Sequence, residues 1–159
     1  MTTKNTDLVA NFEATPQVAN SAAELAGVLR TAHGSVELAA GDSTDNDIVM
    51  LAPIPSNAAV PTLFIGSDTF GGSCTFNVGI YKTDGTVKDE DVFATSVADA
   101  AAMADVRFEA ADLNTGSQKM WELAGDSTDP GGYFYIAITF NATGGTAGTL
   151  NWNITYVVD

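Results

Sequence analysis

Apolar and polar positions alternate through much of this chain, most clearly at its end. Phe134, Ile136, Ile138 and Phe140 recur at every second residue, and after a Gly/Thr/Ala loop Leu150, Trp152, Ile154, Tyr156 and Val158 do the same. A strand sends successive side chains to opposite faces, so both runs read as half-buried strands. Asn141 and the Gly144-Gly145 pair supply turn chemistry between them, which predicts a long β-hairpin over 133–158. No Asp, Glu, Lys, Arg or His interrupts that stretch. If its Phe/Ile/Trp set points inward, Tyr133, Tyr135, Thr139, Asn151, Asn153 and Thr155 point outward. Interfaces enrich aromatics and deplete Asp, Glu and Lys, so these six form a candidate contact surface. The alternative is a face covered within the monomer, by a helix or by the N-terminal segment.

Upstream, the same period marks further strands. Val28–Leu38 reads as a first strand or a small hairpin through His33-Gly34, and 41–47 as a turn. Ile48–Ile54 is a buried strand ended by Pro53 and Pro55, which cannot donate in a central ladder. Val60–Ile65 follows. Cys74–Lys82 places Phe76, Val78 and Ile80 inward, and Asp84-Gly85 turns it back into Thr86–Phe93. Thr95–Ala104 is Ala-rich, with Thr95 or Ser96 able to cap it, and is the one predicted helix of the body. Asp105–Ala110 is expected as a strand with Val106 and Phe108 inward, Gln118–Leu123 as a strand or helical turn, and Asp129–Gly132 as a turn. The hexapeptide AGDSTD occurs at 40–45 and again at 124–129, a shared turn rather than a structural repeat. Residues 1–27 lack a clear period: an arm or peripheral segment, with either a helical turn from Ser21 or an extended course. Residues 28–159 then form an all-β domain. About eight short strands with one short helix predict an antiparallel β-sandwich or jelly roll.

Composition narrows the function. The 159 residues suffice for one core, and the formal charge is −14, with 20 acidic against 6 basic residues. The basic residues are scattered singly, whereas a phosphate backbone calls for clustered Lys and Arg, so no nucleic-acid partner is expected. No anionic membrane partner is expected either, and the first residues lack the basic end and apolar run of a signal peptide. A soluble protein made inside a cell is the expectation.

Candidate chemistry is sparse. His33 is the only histidine and Cys74 the only cysteine; the first reads as a turn residue, the second as a buried, inert thiol. No nucleophile elbow, phosphate-binding loop or metal-ligating pair appears. Asp42, Asp45 and Asp47, or Asp89, Glu90 and Asp91, offer oxygen ligands suited to calcium, but neither set has the spacing of a calcium-binding loop. The expectation is a non-enzyme without catalytic residue, cofactor or metal.

Several runs resemble small acidic virion proteins of tailed bacteriophages: DNDIVMLAPIPSNA at 45–58, FNVGIYKTDGTVKDEDVFA at 76–94, DPGGYFYIAITF at 129–140 and ANFEATPQVAN at 10–20. The resemblance implies a head decoration, or cement, protein with a sandwich or jelly-roll body. It would be seated on the capsid exterior after synthesis in the host bacterial cytoplasm. Its implied partners are the major capsid protein and further copies of itself, as a homotrimer. A carbohydrate- or receptor-binding sandwich of a phage tail or fibre is the alternative, with Trp121, Tyr133 and Tyr135 available to stack on sugars.

Overall fold

The computed structural model describes residues 5–22, 24–108 and 113–158. Its elements are α1 (Asp7–Glu13), β1 (Leu29–Leu38), β2 (Ile48–Pro55), β3 (Ala58–Ser67), β4 (Thr75–Lys82), β5 (Val87–Ala98), β6 (Ala104–Asp105), α2 (Met120–Leu123), β7 (Tyr133–Ala142) and β8 (Gly148–Val158). The strands form two antiparallel four-stranded sheets, β1-β8-β3-β6 and β2-β7-β4-β5. This interleaved order is that of a jelly roll. The fold class expected from the alternation is the one observed.

Facing rows of alternate residues make the core. Phe134, Ile136, Ile138 and Phe140 of β7 lie beside Phe76, Val78 and Ile80 of β4, and meet Leu63, Ile65, Leu150 and Ile154 of the other sheet; all are buried. Phe70 and Phe76 both approach Phe140 edge-on, at ring-centroid distances of 5.5 and 6.0 Å. Aromatic rings favour that geometry because a positive ring edge meets a negative face.

The expected C-terminal hairpin is overturned. β7 pairs with β2 and β4, β8 pairs with β1 and β3, and residues 143–147 carry the chain from one sheet to the other. Facing strands and hairpin strands produce the same alternation, so the pattern cannot separate them. The contacts of the connection do. Gly144 donates to the Ser43 carbonyl and Thr146 to that of Phe70, at 2.7 and 2.8 Å. A Cβ on Gly144 would lie 2.7 Å from the Phe70 carbonyl oxygen, so only glycine lets the corner pass there.

The expected helix over Thr95–Ala104 is also absent. Residues 95–98 finish β5, and Ser96 and Ala100 have φ of 52° and 56°, incompatible with a right-handed helix. Alanine's helical preference is only tenths of a kcal/mol per residue, and a short helix carries a nucleation cost. Pairing of Val97 with Phe76 wins, and the Asp99 carboxylate anchors the end of the strand by accepting from the Phe70 N–H at 2.6 Å.

Of the strand expected at 105–110, only Ala104–Asp105 pairs with β3, and residues 109–110 lie outside the described residues. Arg107, not its neighbours, is the fully buried residue. Its guanidinium lies 4.9 Å from the Phe93 ring centre and 4.5 Å from that of Phe108. It donates to the Val60 carbonyl at 2.8 Å and to Thr115 Oγ1 and O at 3.2 and 3.1 Å. Gln118–Leu123 resolves as the helical turn α2, and β1 is one strand rather than a hairpin.

Candidate functional site

The six residues expected to form one outward face lie on two sheets. Tyr133, Tyr135 and Thr139 belong to β7; Asn151, Asn153 and Thr155 belong to β8. The two triplets sit on opposite outer surfaces of the sandwich and form no single patch.

The β7 side is largely sealed. Tyr133 is 57% exposed, Tyr135 half-buried and Thr139 buried. β5 closes this surface: between Val78↔Ala94 and Ile80↔Asp89 it holds extra residues, and these arch over the sheet. A Cβ on Gly79 would overlap the backbone of Asp89 and Glu90, so the arch rests directly on that glycine. Beneath it the Tyr81 and Thr139 hydroxyls are hydrogen-bonded. Burial pushes the Tyr81 phenol above its ordinary pKa, against the lowering effect of the Thr139 bond, and nearby Glu90 adds to the rise. Asn77 completes the layer, its Oδ1 accepting from the Ser96 N–H and the Asn141 side-chain amide. Around Thr139 the face is covered within the monomer, by β5 rather than by a helix or the N-terminal segment, while Tyr133 at its end stays exposed.

The β8 side is open. β1–β8 pairing sets His33 opposite Asn153 and Ser35 opposite Asn151, and β3 adds Gly66 opposite Asn151. Directly opposed residues share a face, so these side chains form the polar floor of a shallow groove of about 560 Å³, walled by Asp68, Ala101 and Met103. Thr155 lies further along and is paired with Thr62, hydroxyl to hydroxyl, at 2.6 Å. Among the described residues, Asn153 Oδ1 is buried in this floor without a hydrogen-bond partner.

The other sequence candidates serve local structure. Cys74 is buried; desolvation pushes its thiol pKa up, and the charge of Asp99 adds to the rise. Asp42 accepts from the Ala39 N–H at 2.9 Å, and Asp47 accepts from the hydroxyl and N–H of Thr44, which hold its pKa below the ordinary value. Asp89 is raised, first by burial and then by its acidic neighbours. Among the described residues no three His, Cys, Asp or Glu side chains are grouped to hold a metal ion. The two AGDSTD copies diverge in use: Asp42 caps its own turn, whereas Asp126 bridges to Lys88 at 2.6 Å. Trp121 packs half-buried at the core margin, whereas Tyr133 is exposed.

No family model and no curated protein matches the chain. Among solved structures it is similar to a chain of the cyanophage Pam1 capsid asymmetric unit, at 17% identity and a TM-score of 0.46 over 84% of this chain and 86% of that one. It is also similar to a chain of the acidic stable capsid of Helicobacter pylori bacteriophage KHP30, at 14% identity and a TM-score of 0.36 over 82% and 94%. No residue role is carried over from either.

The N-terminal segment is the feature that sequence periodicity missed. α1 buries none of its residues. Among the described residues, the hydrogen bonds of residues 5–20 all stay within the segment: Asn5 to Glu13, Asn11 to Asn20, Asn20 to the Leu8 carbonyl, Val18 to the Asn11 carbonyl and Ala10 to the Thr6 carbonyl. Yet the stretch exposes Val9, Phe12 (67%) and Val18, and Leu25 and Val28 (73%) continue the set toward β1. The signal was present in the i, i+3 spacing of Val9 and Phe12, which aligns two apolar side chains on one helical face.

Proposed function

We propose that this chain is a structural protein of a phage virion, a decoration or cement protein that binds the outer surface of the assembled head and stabilises it without catalysis. The observation that carries the reading is the N-terminal segment, an apolar-faced piece of chain whose described residues contribute nothing to its own domain's core. Exposed apolar surface of that kind suits docking on another protein, here the major capsid protein. The likenesses to capsid structures are too slight to add weight. The resemblance of the strand and turn segments to small acidic virion proteins supports the choice of partner. Charge favours the outside: −14 per chain opposes packing against DNA and is tolerated at an exterior surface. Self-association belongs to the reading, but the homotrimer expected from sequence drew on a face that the fold divides between two sheets. Stabilisation follows by mass action, since a ligand specific to the assembled shell favours that shell.

The test is to mix purified protein with heads that lack it and to measure occupancy and resistance to heat. Deleting residues 1–20 should abolish uptake while leaving the sandwich's melting temperature nearly unchanged. Heads that neither bind the full chain nor gain resistance would exclude the reading.

A second reading rests on the β8 groove. Its amide, imidazole and hydroxyl groups suit a neutral polyhydroxylated ligand, as in a glycan-binding module of a tail or fibre. Glycan-array binding that Asn151→Ala abolishes, with no uptake by heads, would favour it.

A further inference from the structure

Each sheet has two edges, and three of the four carry features that discourage another strand. β2 contains Pro53 and Pro55, which lack an N–H, and its pairing is bulged between Met50 and Ala52. β5 is broken by three register shifts and carries Asp89, Glu90 and Asp91. β6 is two residues long. Bulges, prolines, charges and short length are the usual protections of an open edge.

β1 is long, regular and without proline, and its middle carries no charge. It pairs with β8 over all ten residues, Leu29–Leu38, without a register shift, and contains no proline and no lysine. Its formal charges are Arg30 and Glu37, near its two ends. Among the described residues, no backbone hydrogen bond joins its far side to another segment. Leu29, Arg30 and Thr31 are exposed, and the inward row Ala32, Gly34 and Val36 is only half-buried.

We infer that β1 is a pairing edge, and that its occupant is β1 of a second copy of this chain, joined antiparallel about a two-fold axis at Gly34. A regular edge strand is a template for strand addition. The chain is compatible with itself in this register. Arg30 falls opposite Leu38 of the second copy, Thr31 opposite Glu37, Ala32 opposite Val36 and His33 opposite Ser35, so no like charges meet. Opposed residues have matching parity, which keeps each face continuous across the junction and places the two polar grooves side by side. The result is one sheet of eight strands and a closed, isologous dimer. Such a dimer deepens the self-association part of the head-binding reading, but is measured in solution without heads, so each can fail alone.

The test is the mass of the purified full chain in sedimentation or light scattering, over a range of concentration and salt. Twice the 16.4 kDa chain mass is expected, with association tightening as salt screens the −14 charge on each copy. The double variant His33→Glu with Ser35→Glu sets carboxylates against carboxylates and should weaken dimerisation roughly a hundredfold. Both side chains face solvent, so its melting temperature should stay close to that of the parent. Mixing it with His33→Lys and Ser35→Lys should restore a mixed dimer. A wild-type monomer under all conditions would overturn the inference, as would an oligomer indifferent to these charges. A dimer lost on removal of residues 1–20 but not by the carboxylates would also overturn it, pointing to arm exchange.

Discussion

The two sheets of this sandwich have similar inner faces and opposite outer ones. Inward, both are rows of Phe, Ile, Leu and Val buried against each other. Outward, β2-β7-β4-β5 is closed by the arch of β5 over Gly79, with Thr139, Tyr81 and Asn77 bonded beneath it. The outer face of β1-β8-β3-β6 stays open, with His33, Ser35, Asn151 and Asn153 along a groove. The outward residues of β7 and β8 are uncharged on both faces. A strand face without charge can therefore mean that the molecule covers it, or that something else does, and only the path of the neighbouring chain tells which.

The largest effects should show that the inner faces are equivalent. Phe140→Ala, in the ring cluster with Phe70 and Phe76, should cost about 3–5 kcal/mol, and Leu150→Ala in the other sheet about 2–5 kcal/mol. Denaturant unfolding measures both. A loss below about 1 kcal/mol at either site would mean that one sheet's register is misplaced, since a one-residue slip exchanges its faces.

The outer faces should then separate. Gly79→Ala drives a methyl group into the backbone of residues 89–90, and overpacking of this kind costs about 1–3 kcal/mol. If Gly79→Ala unfolds with the parent's midpoint, the arch of β5 does not rest on β4.

Much of this was readable in the sequence. The inward sets on β4 and β7, the Asp84-Gly85 hairpin and the all-β class follow from period-two alternation and one turn signal. Three things were not. The 143–147 connection changes sheets, and alternation is blind to which strand lies alongside. Thr95–Ala104 has helix-forming composition, but β4 offers Val97 a ladder that local preference cannot match. Arg107 sits between Val106 and Phe108 in a pattern that marks it as the outward residue, yet the remote Phe93 ring and Val60 carbonyl, with the neighbouring Phe108 ring, make burial tolerable. In each case the deciding partner is remote in sequence. Within the candidate surface, the outward parity of Asn151 and Asn153 was legible; the sealing of Thr139 was not, because it depends on the arch.

A smaller contrast is titratable. Thr139→Val removes the partner of the Tyr81 hydroxyl under the arch and should cost about 1–3 kcal/mol. The Tyr81 pKa is raised in the folded state, so its contribution to stability is fully present below the unfolded value near 10 and is lost as pH rises through the folded one. Tyrosinate absorbance should therefore show a group titrating above pH 10, accompanied by falling stability. Absence of such a late-titrating group in the parent would mean that the phenol is wet and the face unsealed.

The smallest effect is expected on the open face, and its smallness is the point. Asn151 is exposed, and Asn151→Ala removes no protein hydrogen bond among those described, so the change should stay within about 0.5 kcal/mol. Asn153→Ala goes further, because it deletes a buried Oδ1 that lacks a partner among the described residues. An unsatisfied buried acceptor costs free energy to keep, so its removal offsets the packing lost with the side chain. The expected sum is again near zero. If both variants prove as stable as the parent, these asparagines, set in a floor with His33 and Ser35, are free to serve the contact proposed above. A loss above about 1 kcal/mol for either variant would show that the groove is held together by these side chains and belongs to the fold. A null effect on stability, with lost head uptake or lost glycan binding, would separate the two functional readings at a single residue.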